Sequence, residues 1–128
     1  MGAEPVTASG ALNGGARHRA TSLGPQDIYL LDQWGRQLRE AFGETPYLVG
    51  SVARAESTWR DVDLRMLDPL KLGNRHLARH ALNVAMSLWG RHMTGLPIDF
   101  QFQVPSEFHK YDREVRDPMG TRFGENVR

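Results

Sequence analysis

The stretch YLVGSVARAESTWRDVDLRML, residues 47–67, decides both the fold and the candidate chemistry of this 128-residue chain. Its end, DVDLRML, alternates polar and apolar residues as a half-buried strand does, so Asp61 and Asp63 share one strand face. Its start is a short β-rich run that ends at Gly50 and Ser51. Carboxylates are costly within a strand unless something uses them. The stretch therefore predicts two short strands that carry a polar site.

Helical patterns flank these strands on both sides. The apolar spacing after Pro25 predicts a helix that ends at Gly43, with proline in the first turn. A longer helix is predicted over residues 70–93, and the alternating run PIDFQFQV after it predicts another half-buried strand, with Asp99 on the polar face. The apolar stripe of the longer helix, which is expected to cover the sheet, comprises Leu77, Ala81, Val84, Ala85 and Leu88.

Together these patterns predict an α/β (α+β) domain over residues 25–104, in which helices cover one face of a small mixed sheet and an acidic site lies on the other. Residues 1–24 are rich in Gly, Ala, Ser and Thr and are predicted to form a flexible arm. Apolar residues thin out over residues 105–128, which predicts a tail that either packs over the domain or awaits a partner.

The nearly balanced charge limits the classes of partner. The chain has 16 Lys and Arg against 15 Asp and Glu, a net charge of +1, so bulk charge does not attract nucleic acid and we do not expect it as a partner. The lack of cysteine excludes disulfides, thiolate metal sites and thiol catalysis. No apolar run approaches the ~20 residues that span a membrane, and no signal-peptide pattern begins the chain. We therefore expect a cytoplasmic protein that does not use a membrane.

Three carboxylates that converge on one sheet face repel one another and are stable when cations lie between them. Asp61, Asp63 and Asp99 are the candidates, and oxygen-only ligands favour Mg²⁺ or Mn²⁺. The Gly50–Ser51 turn provides groups for a phosphate, because glycine allows close backbone approach and serine adds a hydroxyl and an N–H donor.

The order and spacing of these residues resemble a known family. GSVARAESTWRDVDL resembles the signature of the DNA polymerase β-like nucleotidyltransferase superfamily, and over residues 25–104 the chain is similar to the minimal nucleotidyltransferases of bacteria and their viruses. The Gly-Ser pair of that signature corresponds to Gly50 and Ser51, its D-x-D to Asp61 and Asp63, and its third carboxylate, from a later strand, to Asp99.

The resemblance implies a two-metal reaction on an NTP. Asp61 and Asp63 would hold two Mg²⁺ ions with the triphosphate, and Asp99 would bind the catalytic ion and help to activate the acceptor hydroxyl. Gly50 and Ser51 would grip the β- and γ-phosphates. The implied reaction transfers a nucleoside monophosphate with loss of pyrophosphate, and positioning and charge stabilisation dominate such catalysis.

Larger members of the superfamily carry a helical domain that binds the acceptor, and the resemblance does not extend to that domain. A protein partner or a homo-oligomer would then complete the acceptor site. The alternative function is a binding module with weak or no catalysis, such as the minimal nucleotidyltransferases that act as the antitoxin of a helical toxin. A role like that of a repair polymerase fits less well, because the net charge is close to zero.

Three arginines near the motif are further candidates for nucleotide binding. Arg54 and Arg65 are candidate phosphate contacts, but Arg65 shares a face with the aspartates, so its alternative role is to relieve their charge. Arg60 either binds the triphosphate or forms an ion pair that weakens metal binding. Trp59, in the loop before the D-x-D, either stacks on a base or packs within its loop.

A second metal site is considered on the long helix, where His76 and His80 have a spacing that can ligate zinc. No glutamate follows His76, as the H-E-x-x-H motif requires. We therefore favour a solvated face that these histidines share with Arg75 and Arg79.

Overall fold

The computed structural model describes residues 22–110 and 114–122. The predicted α+β class is confirmed, whereas the predicted N-terminal arm lies outside the described residues except for positions 22–24. No helix of these described parts is long and apolar enough to cross a membrane. In chain order the elements are α1 (Pro25–Phe42), β1 (Tyr47–Val49), α2 (Gly50–Ala53), β2 (Val62–Leu67), α3 (His76–Thr94), β3 (Ile98–Gln103), α4 (Pro105–Phe108) and β4 (Asp117–Pro118).

The strands form one mixed sheet in the order β3-β2-β1-β4. Strand β1 is antiparallel to β2 and to β4, whereas β2 and β3 are parallel and are joined by α3. The register pairs Asp63 of β2 with Asp99 of β3 on one side and with Val49 of β1 on the other. The end of β1 and the starts of β2 and β3 therefore meet at one place on the sheet.

Helices α1 and α3 cover the apolar face of the sheet. Trp34 of α1 is buried, and its ring lies edge-on to Trp89 of α3 at 5.6 Å and to Phe100 of β3 at 6.0 Å. Gly90 permits this close packing, because a Cβ there would lie 2.6 Å from an atom of the Trp34 ring. The strand side chains buried on this face are Leu48, Val62, Leu64, Met66, Ile98, Phe100 and Phe102.

Helix α3 also covers the outer edge of β3, one of the two edge strands of the described sheet. Backbone groups on such an edge need partners. Side chains spaced four residues apart along α3 supply them, so one polar face of the helix is committed to the strand. Asn83 accepts from the N–H of Phe102 (2.8 Å), Ser87 accepts from the N–H of Phe100 (2.9 Å), and Arg91 donates to the carbonyl of Ile98 (3.1 Å).

The prediction that the apolar stripe of the long helix covers the sheet is wrong. Leu77 is 88% exposed, Leu88 59% and Val84 45%, and the alanines of the stripe are exposed as well. The helix instead presents Met86 and Gly90 to the core, and with about 3.6 residues per turn the stripe lies roughly opposite them. The physical reason is that α3 both packs closely on Trp34 and caps the edge of β3. We call the exposed set, Leu77, Ala81, Val84, Ala85 and Leu88, the α3 stripe.

Helix α3 begins at His76, later than the predicted start at position 70, because Asp68 organises the preceding residues as a loop. The Asp68 carboxylate accepts three backbone hydrogen bonds, an arrangement that competes with helix formation. The donors are the N–H groups of Leu70, Leu72 and Gly73, at 2.9, 2.7 and 3.3 Å.

Residues 114–122 pack on the domain, the first of the two alternatives for the predicted tail. Strand β4 pairs with β1, and Met119 is fully buried. Asp32, buried within α1, accepts hydrogen bonds from the backbone N–H groups of Gly120 (2.7 Å) and Arg122 (3.2 Å). Arg122 in turn binds the buried carboxylate of Asp117 at 2.6 Å. The Asp32 hydrogen bonds therefore hold the segment on α1, while the Arg122–Asp117 ion pair stabilises the segment itself.

Candidate metal and nucleotide site

Three carboxylates converge where β2 and β3 begin. Asp61 precedes β2, Asp63 is its second residue, and Asp99 is the second residue of β3. One oxygen from each carboxylate lies within 4.8 Å of the other two. Asp61 is exposed, while Asp63 and Asp99 are half-buried. The parallel register of β2 and β3 produces this cluster, because it places Asp63 directly beside Asp99.

The Gly50–Ser51 turn lies against this cluster. Gly50 has φ +75°, in the left-handed region that favours glycine. A Cβ at this position would lie 2.5 Å from Oδ2 of Asp63, closer than real Cβ contacts. The β1–β2 register explains the contact, since Val49 pairs with Asp63 and the chain turns immediately afterwards. Both the backbone angle and the space at Gly50 therefore require glycine.

Arg65 lies between Asp63 and Asp99, where its positive charge offsets theirs. This is the role given above as the alternative to phosphate binding. Its side chain is buried, with Nη2 3.4 Å from Oδ2 of Asp99 and 3.7 Å from Oδ1 of Asp63. Its Nη1 donates to the carbonyl oxygens of Asp99 (2.7 Å) and Leu64 (2.9 Å). The guanidinium group thus bridges two of the three carboxylates from within the sheet.

Burial raises the pKa of Asp63 above its ordinary value. The Arg65 charge lowers that pKa, but the charges of Asp99 and Asp61 raise it again, and the net direction is upward. An ionised Asp63 is therefore costly while no cation lies between the carboxylates. A divalent cation favours the ionised form of its ligands and would remove this cost.

Ser51 and Arg54 both contact Glu56, which the sequence reasoning missed. Arg54 Nε donates to Oε2 of Glu56 at 2.7 Å, and the Ser51 side chain hydrogen-bonds to the same carboxyl group. The hydrogen bond and charge of Glu56 raise the pKa of Arg54, with a smaller contribution from Asp63. The hydrogen bond and charge of Arg54, and then the Ser51 hydrogen bond, lower the pKa of Glu56. The Glu56 carboxylate is thus already hydrogen-bonded to two of the side chains predicted to contact phosphate, Ser51 and Arg54. The available signal in the sequence was its position five residues after Ser51.

The remaining candidates differ in how they are placed. Arg60 is exposed next to Asp61. Trp59 is half-buried and packs against the core, which agrees with loop packing rather than base stacking. His76 and His80 are exposed, and among the described residues neither belongs to a group of three or more potential metal ligands.

A groove of about 260 Å³ runs between α3 and β3 and reaches the third carboxylate. Asp99 and Gln101 line its strand side, and His80, Leu88 and Arg91 line its helix side. The groove was not predicted, because Val84 and Leu88 of its helix wall were expected to be buried against the sheet. The groove is open to solvent, and Asp99 forms part of its wall.

The chain was compared with protein-family models, curated proteins and solved structures, and none of them matches it. The nucleotidyltransferase likeness therefore stays a prediction that depends on the motif and on the geometry around it.

Proposed function

We propose that this chain is a nucleotidyltransferase that moves a nucleoside monophosphate from an NTP to an acceptor hydroxyl. The observation that carries the proposal is the convergence of Asp61, Asp63 and Asp99 within 4.8 Å, with Gly50 packed against Asp63. A D-x-D on an exposed strand is weak evidence by itself. Its combination with a third carboxylate and a glycine that permits close approach supports a site for metal and phosphate together.

The donor set fits magnesium or manganese. All three side chains offer oxygen, which hard divalent cations prefer, and Mg²⁺ in proteins usually takes one or two carboxylates together with substrate phosphates. Asp61, Asp63 and Asp99 would hold the ions. Bound there, two such ions would stabilise the charge that develops on the attacking and leaving oxygens of a phosphoryl displacement.

The side chains around the carboxylates would orient the substrate. Gly50 leaves room for the triphosphate to approach the backbone, and Ser51 and Arg54 would donate hydrogen bonds to its oxygens. Arg60, exposed beside Asp61, is available to the same anion. In the proposed transfer the acceptor oxygen bonds to the α-phosphorus as the bond to the bridging oxygen breaks. Pyrophosphate leaves, and Asp99, which lines the groove, accepts the hydroxyl proton.

The proposal extends to the setting of the reaction. We infer that it takes place in the cytoplasm, where NTP and Mg²⁺ are both supplied, and that a partner protein or a second copy of the chain completes the acceptor site. The groove between α3 and β3 supports this inference, because it is open to solvent beside Asp99 and leaves room for another chain there.

Calorimetry with ATP, GTP, CTP and UTP, each with and without Mg²⁺, tests the proposal. We expect binding of at least one NTP that requires the metal, and loss of that binding in Asp61→Asn and Asp63→Asn. Glu40→Gln, an exposed carboxylate on α1, is the matched control and should bind as the parent chain does. If no NTP shows metal-dependent binding, or if labelled-NTP transfer survives loss of Asp63, the proposed mechanism is wrong.

A further inference from the structure

We propose that the Arg65 guanidinium takes the place of one divalent cation in the nucleotide-free site, so that the site binds a single ion until a triphosphate is present. On the basis of the proposed function, Arg65 then controls how the same site loads its metal ions. The charge of Arg65 lies inside the sheet, between two of the three proposed metal ligands. Arginine is rarely buried so deeply unless it is paired.

The guanidinium group already contacts carboxylate oxygens that an ion between Asp63 and Asp99 would use. Its Nη2 lies 3.7 Å from Oδ1 of Asp63 and 3.4 Å from Oδ2 of Asp99. The other oxygen of Asp63, Oδ2, lies against Gly50. One oxygen of Asp63 is therefore beside a positive charge, and the other is beside the turn proposed to hold phosphate.

The backbone holds Arg65 in this position. Its Nη1 donates to the carbonyl oxygens of Leu64 (2.9 Å) and Asp99 (2.7 Å), and only 8% of the residue is exposed. Nε is buried and has no hydrogen-bond partner in the described part of the chain, so the two terminal nitrogens make the contacts that fix the group. Because arginine is always charged in proteins, this positive charge is a permanent part of the site.

The net charge of the cluster sets how many ions it accepts. Asp61, Asp63 and Asp99 carry three negative charges when ionised, and Arg65 reduces the total to two. One divalent cation neutralises the cluster, whereas a second would leave two positive charges uncompensated beside a buried guanidinium. A triphosphate brings the negative charge that a second ion needs. Without Arg65, two ions would leave only a single uncompensated charge.

The other cationic side chains near the cluster act more weakly on it. Arg60, which precedes the D-x-D, and Arg91, which lines the groove between α3 and β3, are exposed, so water and salt screen their charges. Arg54 is compensated by Glu56 at 2.7 Å. Arg65 is buried, and its charge therefore has the largest effect on the affinity for a second ion.

Binding of Mn²⁺ to the full chain without nucleotide, followed by electron paramagnetic resonance, tests the proposal. The signal of free Mn²⁺ counts the bound ions, and two ions about 3.5–4 Å apart give an exchange-coupled spectrum. The parent chain should bind one Mn²⁺ and show no coupled spectrum. Arg65→Met should bind two coupled ions, the first of them roughly tenfold more tightly than the parent does.

Two further samples separate charge from structure. Arg65→Lys keeps the positive charge and should bind a single ion, as the parent chain does. Tripolyphosphate, which offers the phosphates without a base, should produce the coupled spectrum in the parent chain. Arg79→Met is the matched control, because Arg79 is a similarly buried arginine that pairs with Glu107 at 2.9 Å, and it should bind Mn²⁺ as the parent does.

Four results overturn the proposal while leaving the metal site in place. They are equal Mn²⁺ binding by Arg65→Met and the parent chain, two coupled ions in Arg65→Lys, a coupled spectrum of the parent chain without nucleotide, and no coupled spectrum with tripolyphosphate. If Arg65→Met does not fold, the parent chain and Arg65→Lys decide. Absence of Mn²⁺ binding to every one of these chains overturns both this proposal and the proposed enzymatic function.

Discussion

The space that a side chain at Gly50 would need is filled by the carboxylate of Asp63, with Oδ2 2.5 Å from the position of a Cβ. The turn after β1 and the second residue of β2 are thereby coupled. A change at Gly50 displaces a candidate metal ligand directly, even though glycine itself offers no ligand atom.

Gly50→Ala should abolish metal-dependent NTP binding while the chain remains folded. The methyl group would push Asp63 away from Asp61 and Asp99, and the left-handed backbone adds a strain of roughly 1–2 kcal/mol. Gly43→Ala is a closely matched control, because Gly43 has φ +73° but nothing lies within 4 Å of its Cβ position. Gly50→Ala should lose at least as much stability as Gly43→Ala in thermal unfolding, because only its methyl group meets Asp63, and only Gly50→Ala should lose NTP binding in calorimetry. Equal NTP affinity in the two variants would show that Gly50 is not part of the nucleotide site.

Arg65→Met should destabilise the metal-free protein by about 3 kcal/mol, because it leaves Asp63 and Asp99 half-buried without their shared cation. Mg²⁺ should restore part of this loss, since bound ions would supply the missing positive charge. The measurement is the free energy of unfolding in urea, with EDTA and with Mg²⁺.

Arg79→Met serves as the control for that experiment. Arg79 is as well buried as Arg65 and pairs with Glu107 at 2.9 Å, away from the three aspartates. Its removal should also destabilise the chain, but Mg²⁺ should not help. If Mg²⁺ stabilises both variants equally, the ion is acting elsewhere on the protein.

Asp63→Asn should stabilise the metal-free protein at neutral pH. The pKa of Asp63 is raised by burial and by the neighbouring carboxylates, so the folded state holds the proton more tightly than the unfolded state. A carboxyl group with a raised pKa favours the folded state at low pH, and this contribution disappears as pH rises through the folded-state pKa. The advantage of Asp63→Asn should therefore shrink as pH falls towards about 4, the ordinary pKa of aspartate.

Melting curves in EDTA between acidic and neutral pH measure this effect, with Glu40→Gln as the surface control. Adding Mg²⁺ at neutral pH should reverse the order of stability, because the parent chain gains metal binding and Asp63→Asn does not. A constant difference in melting temperature across the pH range would show that Asp63 carries no raised pKa.

The three aspartates could be predicted from sequence because alternation assigns each one to a strand face. The register that sets Asp63 beside Asp99 and the buried position of Arg65 depend on how the strands pair. Strand pairing joins residues far apart in the sequence, so it cannot be predicted from the alternation within one strand. The contact between Gly50 and Asp63 follows from pairing as well, so only the residue types at this contact were predictable.

The α3 stripe shows where periodicity fails. A 3.6-residue pattern identifies an apolar helix face but does not show which neighbouring elements the helix packs against. Here Gly90 against Trp34 and the polar side chains that cap β3 decide the orientation, and the apolar face is left in solvent. Asp32 was likewise invisible in the sequence, because the backbone N–H groups it binds begin at Gly120, far along the chain.

Glu56→Gln should strengthen NTP binding. The Glu56 carboxylate holds Arg54 at 2.7 Å and hydrogen-bonds to Ser51, the two side chains proposed to donate to the triphosphate. An incoming phosphate must replace these contacts and also meets the negative charge of Glu56. Both partners of the ion pair are exposed, so the gain is modest, up to roughly fivefold in NTP affinity. Calorimetry in the presence of Mg²⁺ measures it.

A double-mutant comparison decides whether Glu56 acts through Arg54. In an Arg54→Ala background Glu56→Gln should change NTP affinity much less than in the parent chain, because the guanidinium group that it releases is gone. A smaller change in NTP affinity in the Arg54→Ala background would show that Glu56 affects phosphate binding by holding Arg54. Equal effects in both backgrounds would mean that Glu56 repels the triphosphate by charge alone, and unchanged or weaker binding in Glu56→Gln would remove Arg54 and Ser51 from the proposed phosphate contacts.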